Sequence, residues 1–242
     1  MEKIDGFTKE SYSKKWTTES DCFDKQGMYE KLSALIPDGN TLELGCGTGK
    51  STLSLLKNHN VLSLDSNEFL IKKARDYLSG LNHEVNIHNC NFLSLSDRDL
   101  EVIKNFSPKI ITGWFIGSCG EDTLKFTTEQ PDHQLKSKLY REKIEDIIAL
   151  LANHLNSVEY VNLVSRGQVV VGYNKEDFFK EIKCDNDKYI FLDAGFEVVS
   201  VENIPWDNSG SSFPYIMNGN PEVDGKKVTP TVTSVLAKRI VK

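Results

Sequence analysis

The stretch from Thr41 to Thr52, TLELGCGTGKST, constrains this chain more than any other. A short apolar strand runs into glycines at every second position, Gly45, Gly47 and Gly49, and a helix-forming run follows. Glycine permits so tight a turn and lets a ligand lie against bare backbone. The start of the following helix presents unpaired N–H groups and a partial positive charge. Two familiar phosphate-binding turns do not fit. A nucleotide P-loop needs glycine where Leu44 stands, and a dinucleotide turn needs glycine where Lys50 stands.

Around that turn, strand and helix patterns alternate. Strands are predicted at 41–44, 61–64, 85–88, 109–115, 158–164, 196–201 and 232–238. Helices are predicted at 50–57, 68–78 and 139–155, with another beginning at 175. In the second of these, Leu70, Ile71, Ala74, Tyr77 and Leu78 share one face. Strands separated by helices make βαβ units and a parallel sheet. The last two strands are joined by 205–230, which has turn chemistry and no helical period, so they should pair antiparallel. The expected fold is α/β: a doubly wound, seven-stranded, mostly parallel sheet with an antiparallel C-terminal strand. Residues 1–36 read as a helical cap, 37–242 as the main domain, and 205–230 as a loop on the rim of its site.

Charge and cysteine usage narrow the function. With 29 basic and 35 acidic side chains the net charge is −6, which disfavours binding a long phosphate backbone through bulk charge. The five cysteines are scattered and never form a C-x-x-C pair, as expected of reduced thiols in the cytoplasm. The opening residues lack an apolar signal core, and the longest apolar stretch, near 110–119, is about half of the roughly 20 residues a membrane span needs. His83, His88 and Cys90 lie close in sequence without a fourth ligand, so no metal site is expected.

With Asp65 closing the next strand, the pattern Glu43-x-Gly45-x-Gly47-x-Gly49 resembles the first signature of the class I S-adenosylmethionine-dependent methyltransferases. The resemblance extends to the A-G-F turn at Ala194-Gly195-Phe196 and covers nearly the whole chain. It implies that Gly45, Cys46, Gly47 and Gly49 pass under the methionine and ribose parts of the cofactor, with Glu43 near its amino group. It implies that Asp65 accepts hydrogen bonds from the two ribose hydroxyls, since one carboxylate takes two donors at once. Ser66 follows it. Asn91 stands where the family usually has an acidic residue facing the adenine amino group, and Phe92 would wall the adenine. Gly113, in the fourth strand, joins this cofactor set. The fourth strand begins with Lys109 where the family often has Asp, and no N-P-P-Y or D-P-P-Y follows it, which argues against methylation of DNA bases.

The implied reaction moves a methyl group by in-line displacement and leaves S-adenosylhomocysteine. Its demands are alignment of three atoms and exclusion of water. In open α/β sheets ligands bind beyond the carboxyl ends of the strands. That rule selects the loop from Trp114 to about Lys136, Ser165-Arg166-Gly167 and the 205–230 connection as walls, with Trp114, Phe115, Trp206 and Tyr215 at the acceptor and Tyr12 and Trp16 closing from above. His133, near Glu121 and Asp122, is the candidate base. The expected acceptor is a small molecule offering nitrogen, oxygen or sulfur. RNA or a protein side chain is the alternative acceptor, and a non-catalytic cofactor-binding partner subunit is the alternative role.

Overall fold

The computed structural model describes residues 7–84, 86–129, 132–213 and 226–241. Two helices lead, α1 (Lys9–Lys25) and α2 (Met28–Ser33). Then come β1 (Gly39–Leu44), α3 (Lys50–Leu55), β2 (His59–Asp65), α4 (Glu68–Gly80), β3 (Ile87–Asn89) and α5 (Asp97–Phe106). The second half comprises β4 (Ile110–Trp114), α6 (Gly120–Phe126), α7 (His133–His154), β5 (Tyr160–Val170), α8 (Lys175–Asn186), β6 (Phe196–Pro205) and β7 (Val228–Arg239). The seven strands form one sheet in the order β3-β2-β1-β4-β5-β7-β6. The first five are parallel, and β7 lies antiparallel between β5 and β6. This is the expected mixed, doubly wound sheet.

Local chemistry sets the helices. Asn67 caps α4 by accepting the N–H groups of Phe69 and Leu70, and Leu70, Ile71, Ala74 and Leu78 form its buried stripe. Ser96 and Asp99 make a reciprocal capping box at α5. One face of the sheet carries Leu42, Leu62, Ile111 and Val161 against Ile144 and Ile148 of α7. The other face carries Val61, Val164 and Val232 against Phe23 of α1 and Met28, Tyr29 and Leu32 of α2. The leading helices are therefore built into the core of one face.

Several boundaries differ from the sequence expectation. β5 runs six residues past its predicted end, because 165–170 pairs with 228–233 of β7. β6 and β7 lengthen with it, so the connection predicted at 205–230 is shortened at both ends. Of that connection, 214–225 lies outside the described residues. α5 and α6 were not predicted, and α7 starts earlier than expected, at His133. Among the described residues no helix is long and apolar enough to cross a membrane.

Candidate cofactor and acceptor site

Strand order reverses between β1 and β4, and the crevice at their carboxyl ends is where this kind of sheet binds ligands. A cleft opens there, lined by Gly45, Gly47, Asp65, Ser66, Asn91 and Phe92 on one side. Gly45 holds a left-handed φ of 82°, and a Cβ on it would meet nothing within 4 Å. Bare backbone there forms an open cradle. At Gly47, φ is 53° and a Cβ would collide with Nε1 of Trp16. Glycine is needed at both for conformation, and at Gly47 also for the indole lying on it.

Asp65 ends β2 beside this cradle. The Gly47 N–H donates to its Oδ2 at 3.1 Å and the Asn67 N–H to its Oδ1 at 2.9 Å. Oδ2 also receives the Cys46 thiol at 3.6 Å, which leaves Oδ1 the less engaged of the two oxygens. Burial pushes the carboxyl above its usual range, and the backbone donors work against that shift. The cradle and the two-oxygen acceptor suit the adenosine and methionine ends of the cofactor implied by the sequence. Asn91 reaches the cleft; its Oδ1 accepts the Leu93 N–H at 2.9 Å and keeps one lone pair, and its amide nitrogen can donate to a ligand.

Four residues expected at the cofactor do not line the cleft. Glu43 lies beneath the turn, 2% exposed, and accepts the hydroxyls of Ser51, Thr52 and Ser63, each at 2.6 Å. It fastens the turn helix α3 and strand β2 to β1. Cys46 packs with Ile71, Ala74 and Ile87, and its Sγ lies 3.6 Å from Asp65 Oδ2. Gly49 lies against Ala74 of α4, whose Cα would be 3.0 Å from a Cβ there. Gly113 faces away, toward Ile116, Leu163 and Ile148.

The opposite wall is aromatic. Tyr12, Trp16, Trp114 and Phe115 all line the cleft. Trp114 Nε1 donates to Asn162 Oδ1 at 2.6 Å, and Asn162 Nδ2 donates to Ser234 Oγ at 2.9 Å, joining β4, β5 and β7. Phe115 holds a φ of 55°, rare for a residue with a side chain, and its ring stacks on Phe23 at 4.4 Å. Strain of this kind persists only where the surroundings fix it, and it clusters at functional sites. Tyr12 and Trp16 stack face to face at 6.5 Å. Trp206 is buried against Phe23, with ring centroids 4.7 Å apart, and does not line the cleft. Tyr215 lies outside the described residues, as does the side chain of His133.

α1 is latched over the cleft. Glu19 accepts Arg166 Nη1 at 2.7 Å, Ser211 Oγ at 2.6 Å and the Ser212 N–H at 3.1 Å. The Arg166 guanidinium also sits 4.9 Å from the centroid of Phe213, whose ring packs edge-on against Tyr12 and Trp16. Under this lid only about 70 Å³ stays free. Tyr12 and Trp16 of α1 narrow the cleft from this side.

The loop beyond β4, expected as a wall, supplies a floor whose side chains the sequence did not single out. Ser118, Cys119, Asp122 and Tyr140 all line the cleft. Ser118 Oγ lies 3.1 Å from Asp122 Oδ2 and Cys119 Sγ 3.5 Å from it. Burial holds the Tyr140 phenol at about 12, against a hydrogen bond with Ser118 that lowers it. The available signal was Asp122 four residues after Ser118, across the start of α6. Elsewhere, His88 Nε2 lies 2.6 Å from Asp99 Oδ1, and with Cys90 their ligand atoms fall within 4.8 Å of one another. Asp99 is there the partner of the α5 capping box, which accounts for its position.

Residues 41–107 match the family model described as a methyltransferase domain. No curated protein sequence matches the chain. Among solved structures, it is similar to an S-adenosylmethionine-dependent methyltransferase from Clostridium acetobutylicum at 12% identity, over 93% of this chain and 92% of that one, with a TM-score of 0.42. It is similar to the magnesium protoporphyrin IX methyltransferase of Synechocystis with bound cofactor at 12% identity, over 96% and 82%, with a TM-score of 0.44. It is also similar to the 23S rRNA methyltransferase ErmE at 17% identity, over 90% and 69%, with a TM-score of 0.48. The glycine turn and Asp65 lie inside the matched stretch, and methyltransferase activity with S-adenosylmethionine as cofactor is what that match supports.

Proposed function

We propose that this enzyme methylates a small-molecule acceptor, enclosed between the glycine turn and an aromatic lid. The observation that carries this reading is the lid. Tyr12 and Trp16 close the cleft, and the Glu19–Arg166 pair holds them there. A lid that seals a cleft suits an acceptor that is swallowed whole. The net charge of −6 also disfavours a polyanionic polymer as acceptor.

When bound, the cofactor supplies a methyl group on a positively charged sulfur. The chain's own residues do the rest. The Gly45–Gly47 backbone carries the methionine and ribose parts, Asp65 accepts from the ribose hydroxyls, and Asn91 and Phe92 hold the adenine. Trp114, Phe115, Tyr12 and Trp16 exclude water and align the acceptor, which in well-oriented systems is worth roughly 7–11 kcal/mol. Asp122 replaces His133 as the base we favour, because its carboxylate faces the cleft beside Ser118.

A screen with isotope-labelled cofactor tests the reading. Purified enzyme is offered a metabolite extract and, separately, total RNA and protein from the same cells. Label appearing in a low-mass product, identified by mass spectrometry, is the expected result. Label in RNA or protein alone would overturn it.

A further inference from the structure

Beyond Ile116 lies a second, larger hollow of about 1040 Å³, on the face of the sheet that holds α7 and α8. That is the scale of small-molecule sites, roughly 300–1,000 Å³. Leu163 and Val235 form its floor, Ile144 and Ile148 of α7 one wall, and Phe178 and Ile182 of α8 the other. Ile116 lines both this groove and the cofactor cleft, so the two hollows are neighbours separated by one side chain.

The charges on this apolar groove are unbalanced. Lys138 is engaged by Glu142 at 3.7 Å and Arg166 by Glu19 at 2.7 Å. What remains is one guanidinium, Arg141, against three carboxylates, Glu145, Asp146 and Asp185. Glu145 is half-buried and makes no hydrogen bond or ion pair among the described residues. Burial pushes its carboxyl up, Arg141 lowers it, and Glu142 and Asp146 add to the rise. A partly desolvated carboxylate over an apolar floor is costly until a cation meets it.

We propose that this groove binds the body of the methyl acceptor, and that the acceptor is an amphipathic amine whose ammonium pairs with Glu145. Its apolar part lies along Leu163, Ile148 and Phe178. Glu145 is a recognition group here and does not touch the methylated atom. The word acceptor rests on the small-molecule methyltransferase reading above, while the binding of an amphipathic cation stands on the groove alone.

Three probes with one apolar body and different heads test it: 4-phenylbutylamine, 4-phenylbutanol and 4-phenylbutyrate. Binding to the full chain is measured by ligand-observed NMR titration, for the wild type and for Glu145→Gln. The amine should bind about ten-fold tighter than the alcohol, the carboxylate weakest of all, and Glu145→Gln should erase most of the amine's advantage. Equal binding of amine and alcohol, no amine binding at millimolar concentration, or an advantage that survives Glu145→Gln would overturn the proposal. Calorimetry of S-adenosylhomocysteine with the same wild-type sample reports separately on the methyltransferase reading, since failure there leaves the amine preference to be judged on the three probes.

Discussion

The two halves of the sheet build their share of the site differently. In β3-β2-β1 the working atoms are backbone and one short carboxylate, set by residues close in sequence: Gly47 and Asn67 reach Asp65 across 18 and 2 residues. In β4-β5-β7 the working atoms are side chains gathered from afar. Glu19 meets Arg166 across 147 residues and Ser211 across 192. A half fixed by local turns can hold one cofactor rigidly. A half assembled from a leading helix, a strand extension and a rim connection can change its acceptor by changing any of them.

The largest way to break this contrast is Asp65→Ala. It removes the two-oxygen acceptor at the heart of the local half. Two charge-assisted hydrogen bonds at about 1.5 kcal/mol each amount to roughly a hundred-fold in affinity. Calorimetric titration with S-adenosylhomocysteine should show that loss. A change below ten-fold would mean that the cofactor is not held there.

Glu43→Ala comes next, and its effect should fall on stability. Three buried hydroxyls lose their acceptor, at about 1 kcal/mol each. For a chain of this length that is a melting temperature lower by roughly 6–12 °C. The pH dependence has a definite sign. Burial raises the Glu43 carboxyl above its ordinary 4.5, against the hydroxyls of Ser51, Ser63 and Thr52, so the folded state holds a proton that the unfolded state releases. That contribution is complete below pH 4.5 and is lost as pH rises through the folded value. Thermal unfolding between pH 4 and 7 should therefore flatten in Glu43→Ala. Asp65, raised from 3.8 by burial, leaves a residual slope of the same sign. Weaker cofactor-product binding with an unchanged melting temperature would return Glu43 to the role of ligand contact.

These two residues show what the sequence could reveal. Strand–helix alternation and the turn at 205–230 made the sheet and its antiparallel end legible, because both follow from local periodicity. Asp65, Gly45 and Gly47 were legible because the motif that carries the family resemblance places them at the ends of β2 and β1. Glu43 is invisible as an anchor, since its partners Ser51, Thr52 and Ser63 become its neighbours only after β1, α3 and β2 pack. Gly113 reads like its counterparts in the turn, yet the pleat points it at Leu163. Asp122 and Tyr140 sit in segments whose placement depends on α6 and α7 folding back over β4.

Trp16→Ala sharpens the contrast from the other side. The indole lies on Gly47 and is held by Tyr12, Phe115 and Phe213. Aromatic pairs contribute about 0.5–1.5 kcal/mol each. Losing roughly 1.4 kcal/mol of lid closure should speed association of S-adenosylhomocysteine about ten-fold, read by stopped-flow fluorescence of the remaining tryptophans. An unchanged association rate would show that α1 does not gate the cleft.

Lys50→Ala carries the smallest expected effect, and it lies at the border between the two halves. Lys50 begins α3, directly after the glycine turn, and its ammonium reaches Asp21 at 2.7 Å and Asp24 at 2.9 Å, both on α1. Burial works against that charge, but the two aspartates outweigh it and hold the lysine above its usual range. The Lys50 side chain is only 16% exposed, whereas Asp21 is 46% exposed, so solvent screens much of the attraction. The expected cost is about 0.5–1 kcal/mol in low salt, read from denaturant unfolding, and less in 1 M salt, where the screening length falls to about 3 Å. Cofactor-product affinity should stay within about two-fold. If it fell ten-fold instead, the lid helix and the glycine turn would act as one unit, and the division between a local, rigid half and an assembled, adaptable half would have to be redrawn through α1.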